Sequence, residues 1–396
     1  MITLKKYNSI HDVDPVEWNS ILDDHDIFHR HSFLSAVEDS RVENATLSYL
    51  LFYDGDVLTA TTVFSIFSIS LDLFTGDSRI VKALKKVFPK LFSIRILVCG
   101  LPASFGQQNL KLTDDAHTGA ISRLIAAEMR GVAKQQRIKF MAVKELERHE
   151  ATRLNGLEKE GFFLTHSIPY MQLPVRWNSF QNYLSSLRHP YRRRILQALK
   201  KAGCTEPVIL SPGQYDGEGT AWVVAPPGEN FAGDFFPAYL RVMERTPVKL
   251  ETLNKAFFEQ LQQRKEEYEV LHFIVNGNVI STGVLVSSGD ILTFMLVGRE
   301  NEKDPYDSYV NLVYGIVALA IQRGVRQVKL GQTAYWVKSC IGGLPEDEFL
   351  YFACTKPVTH WLLKKLRAVL FPETKLKPIH VFRQQDHVAE MQEVHA

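Results

Sequence analysis

Two short turn signals, Asp54-Gly55-Asp56 and Asn276-Gly277-Asn278, lie about half a chain apart. Each joins two runs rich in β-branched and aromatic residues. Such triplets allow the positive φ a tight antiparallel turn needs, so each predicts a hairpin, over 44–53 with 57–73 and over 270–275 with 279–286. The elements downstream of the two hairpins are also alike. After the first the pattern predicts a basic helix over 78–90, a strand 93–99, a loop carrying Pro102, Gly106, Gln107 and Gln108, a helix 119–136, a strand 138–143, a short helix 151–161 and a strand 162–173. After the second it predicts a strand 291–297, a helix 309–323, a strand 325–330, a helix 334–341 and a strand 348–354. Hairpins make antiparallel neighbours and helical crossovers make parallel ones. The order therefore predicts an α/β chain of two tandem domains, each a mixed, partly antiparallel sheet with flanking helices. Only the element order repeats; no residue-level repeat is visible.

The 396 residues suit two domains, and 45% hydrophobic content is ample for two cores. The expected boundaries are 1–175 for the first domain and 176–383 for the second, with a polar tail over 384–396. Two short helices, 15–23 and 31–39, open the first. A helical insertion over about 180–265 opens the second, with helices at 180–202, 231–243 and 250–265 and a Gly/Pro-rich connection at 211–219.

With 46 basic and 44 acidic residues the net charge is +2, too small a field for a dedicated nucleic-acid binder. The opening MITLKKYNSI lacks a secretory apolar run, and the most apolar stretch, 63–74, is broken by serines and Asp72, short of the ~18 apolar residues of a spanning helix. Cys99, Cys204, Cys340 and Cys354 form no C-x-x-C pair, so neither a disulfide framework nor a cysteine zinc site is indicated. The expectation is a cytoplasmic protein without stable membrane insertion.

The predicted element order resembles that of a GNAT domain present in two copies. Three segments make a narrower comparison. Residues 27–38, IFHRHSFLSAVE, lead an apolar pair and Phe-Leu into an acidic helix end. Val313-Tyr314-Gly315-Ile316 runs through Ala320 to Val325, then Gly331-Gln332, Lys338 and Gly342-Gly343-Leu344-Pro345. Phe180 to Lys201 reads as Tyr-Leu-x-x-Leu followed by a run of Arg and Lys. These segments resemble the signatures of FemAB-like, peptidoglycan biosynthesis/recognition proteins. The resemblance implies transfer of acyl or aminoacyl groups to amines. Where the nearest branch of that family carries His and Glu around the second signature, this chain has Ser308, Val310, Tyr335 and Trp336.

The segment 331–338 leaves a predicted parallel strand at its carboxyl end, where open α/β sheets place ligands. Lys338 there is a candidate to neutralise a phosphate or a developing oxyanion, against a surface lysine. Tyr309 and Tyr335 are candidate general acids, against packed aromatics. Asn311, Tyr314 and Gln332 are candidate substrate contacts, and Asp307 or Ser308 reads as a helix cap. Arg188, Arg192 and Arg193, in the densest basic cluster, are candidate ligands of a donor phosphate, against a solvated helix face. His25, His29 and His31 have spacing for a metal but no Cys or Glu partner, so no metal is expected; His31 remains a candidate substrate contact. The GNAT pyrophosphate loop is missing, which counts against acetyl-CoA. Residues 359–371, THWLLKKLRAVLF, are basic and amphipathic, suited to packing on a sheet or to transient lipid contact.

These readings combine into an N-acyltransferase with no tightly bound cofactor. Its co-substrate would be an acyl thioester, on CoA or a carrier protein, or an aminoacyl-tRNA, and its acceptor a small-molecule amine, in a cleft between the domains formed mainly by the second. An activated donor and an amine need orientation and oxyanion stabilisation more than a nucleophilic triad. The alternative is a catalytically inactive GNAT-like module that binds a cell-wall or carrier-linked ligand.

Overall fold

The computed structural model describes residues 1–70, 93–114, 116–246, 252–300, 304–376 and 379–383. The expected helix over 78–90 and the tail over 384–396 lie outside the described residues. The chain divides into two compact units, each a mixed sheet with flanking helices. The first unit holds residues 1–169, 247–257 and 347–374, and the second holds 170–246, 258–346 and 375–396.

Among the described residues, strands run in chain order as β1 (Ile2–Tyr7), β2 (Thr46–Asp54), β3 (Val57–Ser70), β4 (Ser93–Cys99), β5 (Leu110–Leu112), β6 (Phe140–Glu147), β7 (Phe163–His166), β8 (Tyr170–Pro174), β9 (Ile209–Leu210), β10 (Thr220–Ala225), β11 (Glu269–Val275), β12 (Asn278–Ser288), β13 (Ile291–Arg299), β14 (Gln327–Gly331), β15 (Leu344–Glu346) and β16 (Glu348–Cys354). The first sheet has the order β1-β2-β3-β4-β6-β16-β7, with β5 paired to β3. Its hairpin turns at Gly55, whose φ of 60° is the left-handed value that the turn triplet implies. β4 and β6 run parallel, joined by a crossover that contains the Thr118–Gln135 helix. Leu97 and Cys99 face the core under that helix while Ile96 and Val98 face the other side, the two-residue alternation of a sheet buried on both faces.

The second sheet has the order β15-β8-β14-β13-β12-β11-β10-β9. Its core gathers around the Ser308–Arg323 helix, which is buried through most of its length. Trp222 of β10 lies fully buried across that helix and donates Nε1–H to the Asn311 carbonyl at 2.8 Å. Gly315 makes the crossing feasible: a Cβ there would stand 2.0 Å from Trp222 Cδ1.

The expected boundary at 175 does not follow the sheets. In place of one strand over 162–173 there are two, separated at Ser167-Ile168-Pro169, and β7 joins the first sheet while β8 joins the second. Proline ends the run because it lacks the N–H a ladder requires. In return β16, from near the end of the chain, inserts between β6 and β7. The expected 180–202 helix likewise divides into Phe180–Ser186 and His189–Lys201, with Pro190 opening the second piece. Besides helices, the insertion carries β9 and β10.

Pairing of β16 with β6 brings acids together inside the first unit. Glu145, at φ 58°, interrupts the register of the two strands. Its carboxylate accepts from Asn109 Nδ2 at 2.7 Å and lies 3.0 Å from Lys144 Nζ. Glu348 is also buried, and its Oε2 has no partner among the described residues. Burial first, then the charge on Glu145, holds the Glu348 pKa well above the usual carboxylate range.

Candidate functional site

In the second sheet β13 and β14 lie parallel over three pairs, Ile291 with Gln327, Leu292 with Val328 and Thr293 with Lys329. Beyond them β13 continues to Arg299 while β14 ends at Gly331. The backbone then takes left-handed φ at Gly331 (80°), Thr333 (61°) and Ala334 (48°) before the short Tyr335–Cys340 helix begins. For Thr and Ala that conformation costs roughly 1–2 kcal/mol each, so something must hold it. Lys338 does. Only 3% exposed, it folds back over the turn and donates Nζ to the carbonyls of Gly331 at 2.9 Å and Gln332 at 2.6 Å. Burial lowers its pKa from 10.5 to about 7.

Gly331 is the floor of this corner. A Cβ on it would lie 3.7 Å from the Phe294 carbonyl and 3.8 Å from both Lys338 Nζ and the Tyr170 hydroxyl. The Tyr309 ring packs 6.4 Å from that of Phe294, and burial raises its phenol pKa above the usual value. Tyr335 is partly buried against the core of the second unit, and the side chain of Gln332 is partly exposed.

At the start of the Ser308–Arg323 helix, Asp307 stands at the N-cap position as expected, but its side chain makes no cap hydrogen bond. Asp304 does the bonding: its carboxylate accepts from Ser308 N at 2.8 and 3.0 Å and from Ser308 Oγ at 3.1 Å. Arg299 Nη2 donates to the same carboxylate at 2.6 Å. The positive end of this helix is thus filled by an internal anion. Asn311, expected at the substrate, is fully buried and braces the helices instead, donating Nδ2 to the carbonyls of Ala198 at 3.0 Å and Tyr306 at 2.6 Å.

On the other side of the Tyr335–Cys340 helix, a cavity of about 940 Å³ is lined by Arg194, Lys200, Lys201, Tyr314, Trp336 and Cys340, among others. Arg194 and Lys201 are a helical repeat apart on the face of His189–Lys201 turned to the cavity. The Arg194 guanidinium stands 5.4 Å over the Trp336 ring and donates to Cys340 Sγ at 3.2 Å. Lys201 pairs with Asp307 at 2.8 Å, whereas Arg194 and Lys200 have no acidic partner among the described residues. Of the arginines expected to bind phosphate, Arg188 and Arg193 are exposed, Arg192 is half-buried, and none lines this cavity. Tyr314 does line it.

The sequence pattern of the FemAB-like family, described as peptidoglycan biosynthesis/recognition, matches residues 9–332. The chain belongs to the FemAB-like family. A comparison with curated protein sequences gives no significant match. Among solved structures, the chain is similar to FemX at 11% identity, covering 92% of this chain and 100% of that one with a TM-score of 0.54. It is also similar to the C-terminal DUF2156 domain of a putative lysylphosphatidylglycerol synthetase from Agrobacterium fabrum, at 9% identity, covering 94% and 99% with a TM-score of 0.50. At these identities the likeness speaks to the fold.

The first FemAB-like segment, 27–38, serves structure. His31 Nε2 lies 2.9 Å from the Ile10 carbonyl and 3.1 Å from that of Val13, so the ring pins the start of the chain within the first unit. His29 is buried, stacked on Trp18 at 5.3 Å and 3.0 Å from Thr61 Oγ1. Burial lowers its pKa to about 4, and it stays neutral. Among the described residues no group of three His, Cys, Asp or Glu is placed to hold a metal ion. The second FemAB-like segment carries both Lys338 and Gly331. Tyr170 belongs to no motif that the sequence displays, whereas Asp304 opens the cap-like stretch 304–308. The cavity also takes a different face of the basic helix from the expected one; Arg194, Gln197 and Lys201, three and four residues apart, are the signal for it.

Proposed function

We propose that this FemAB-like chain is an acyl- or aminoacyltransferase that forms an amide bond at the Gly331–Lys338 corner of its second unit. The observation that carries the reading is the buried Lys338 amine with a pKa of about 7. In its neutral form, its two hydrogens go to the carbonyls of Gly331 and Gln332, which leaves the lone pair directed away from both. That lone pair takes a proton from the acceptor nitrogen as the nitrogen bonds to the acyl carbon. The ammonium so formed faces the oxyanion and then returns the proton to the departing oxygen or sulfur. The bond made is C–N, the bond broken is C–O or C–S, and the proton count balances. Tyr309, still protonated at neutral pH, and Tyr335 are the phenols proposed to assist the leaving group.

The basic cavity supports a donor that carries phosphate. Arg194 and Lys200 offer positive charge without an acidic partner, and Trp336 offers a stacking face, features that suit the end of an aminoacyl-tRNA or a phosphopantetheine arm. Asp304 at the start of the Ser308–Arg323 helix repels a pyrophosphate there, which argues against acetyl-CoA held in that manner.

The test is turnover of the purified chain with aminoacyl-tRNAs and acyl thioesters against a panel of amines, repeated with Lys338→Met. Product formation that falls by roughly 10²–10⁴ in the variant supports the assignment. No turnover with either donor class by folded wild-type protein would favour the binding-module reading.

A further inference from the structure

The helices Pro357–Lys365 and Arg367–Leu370 have two apolar sides, and the sheet uses only one. Inward, Leu363 and Phe371 join the cluster of Ile96, Val98, Ala142, Phe163 and Phe352 on the first sheet. The Phe371 ring lies 5.4 Å from that of Phe352, and the His360 ring 5.5 Å from that of Phe163. Outward, Val358 is 80% exposed, Trp361 61%, Leu362 48%, Leu366 42% and Val369 76%. Their spacing of three, one, four and three residues is that of a continuous helical stripe. Single exposed apolar residues need no explanation, but a stripe of them does.

The stripe is bordered by one sign of charge. Lys356, Lys364, Lys365 and Arg367 are exposed, and none forms an ion pair among the described residues. Residues 355–375 carry five Lys or Arg against the single acid Glu373, whereas the whole chain is nearly neutral at +2. An apolar stripe with a bulky aromatic, edged by unpaired cations, matches a surface with acyl chains below and negative headgroups above. A duplex nucleic acid matches the charge but gives the stripe nothing to bury. Among the described residues no helix is long and apolar enough to cross a membrane, so the fitting geometry is a helix lying in the interface plane.

We propose that the 357–370 helix pair is a docking surface for anionic phospholipid bilayers. Val358, Trp361, Leu362, Leu366 and Val369 enter the headgroup boundary, and the flanking lysines and Arg367 contact the phosphates. This surface belongs to the first unit and is independent of the Lys338 chemistry.

The experiment is flotation of the full chain with vesicles of phosphatidylcholine alone and of phosphatidylcholine mixed with phosphatidylglycerol. The protein is expected to float with the anionic vesicles, less so as salt is raised, and to stay behind with the neutral ones. Lys364→Gln with Lys365→Gln should weaken binding on the order of 25-fold, at about fivefold per charge. Trp361→Ser with Leu362→Ser should abolish flotation without moving the melting transition, because both side chains point away from the core. Absence of binding to anionic vesicles, or equal binding by both double variants and the wild type, overturns the proposal. So does a dimer in vesicle-free buffer that dissociates on Trp361→Ser, which would assign the stripe to a second copy of the chain.

Discussion

Lys338 Nζ sits 2.9 Å from the carbonyl oxygen of Gly331, the last residue of β14, and no carboxylate pairs with it among the described residues. A lysine held only by backbone dipoles in a buried site loses much of its preference for the charged form, and the lost hydration dominates its titration.

The pH dependence of stability follows from that shift. With a folded pKa of about 7 against 10.5, the unfolded chain binds the extra proton between those values, so stability rises with pH across that window and is lost as pH falls toward 7. The slope from this group approaches about 1.4 kcal/mol per pH unit. Urea unfolding across the window should show the slope in the wild type and its loss in Lys338→Met. Turnover, if Lys338 is the base, should rise to a plateau above about 7, and Lys338→Arg should not restore it.

Anion binding should follow the cavity and not the whole basic cluster. Inorganic pyrophosphate is expected to quench the Trp336 fluorescence that Arg194 overlies, with strong salt dependence. Arg194→Ala should weaken it about tenfold or more, while Arg188→Ala, outside the cavity, changes it little. Equal losses from both would mean a diffuse field and no pocket.

Gly315 and Trp222 should behave as one unit. Gly315→Ala drives a methyl into the indole, at a cost of about 3 kcal/mol or more in denaturant unfolding. Trp222→Phe relieves the clash but forfeits the bond to Asn311, so the double variant should be more stable than Gly315→Ala alone, with a coupling of roughly 1–3 kcal/mol. Additive losses would show that the helix shifts to make room.

Glu348 carries the opposite titration. Its folded pKa lies above 4.5, so its contribution is full below 4.5 and is lost as pH rises through the folded value. Glu348→Gln keeps the shape without the charge. The variant should match the wild type in acid and exceed its melting stability by roughly 1–3 kcal/mol at alkaline pH. A variant less stable at every pH would show that Glu348 is ionised and paired.

The hairpins, the crossover helices and the parallel pairs are legible in the sequence because each is set by local pattern, such as Asp54-Gly55-Asp56 or the apolar run of 313–321. The exchange of β8 and β16 is not, because nothing in a strand's own residues names the sheet it joins. His31 looks chemical in the sequence because its partners, the carbonyls of Ile10 and Val13, are backbone groups that no side-chain motif reveals. Lys338 stands out through its family segment; the depressed pKa, which depends on burial, is visible only in the fold.

The exchange of strands also sets a timetable. β16 lies between β6 and β7, so during synthesis both of those edges wait unpaired until residues 348–354 emerge. At ~5–20 residues per second that wait lasts on the order of tens of seconds. A nascent chain in this state presents two open ladders to its neighbours, a condition that favours aggregation. A stop codon anywhere before residue 348 would make it permanent, so even a late truncation should yield inclusion bodies in place of a well-folded first unit.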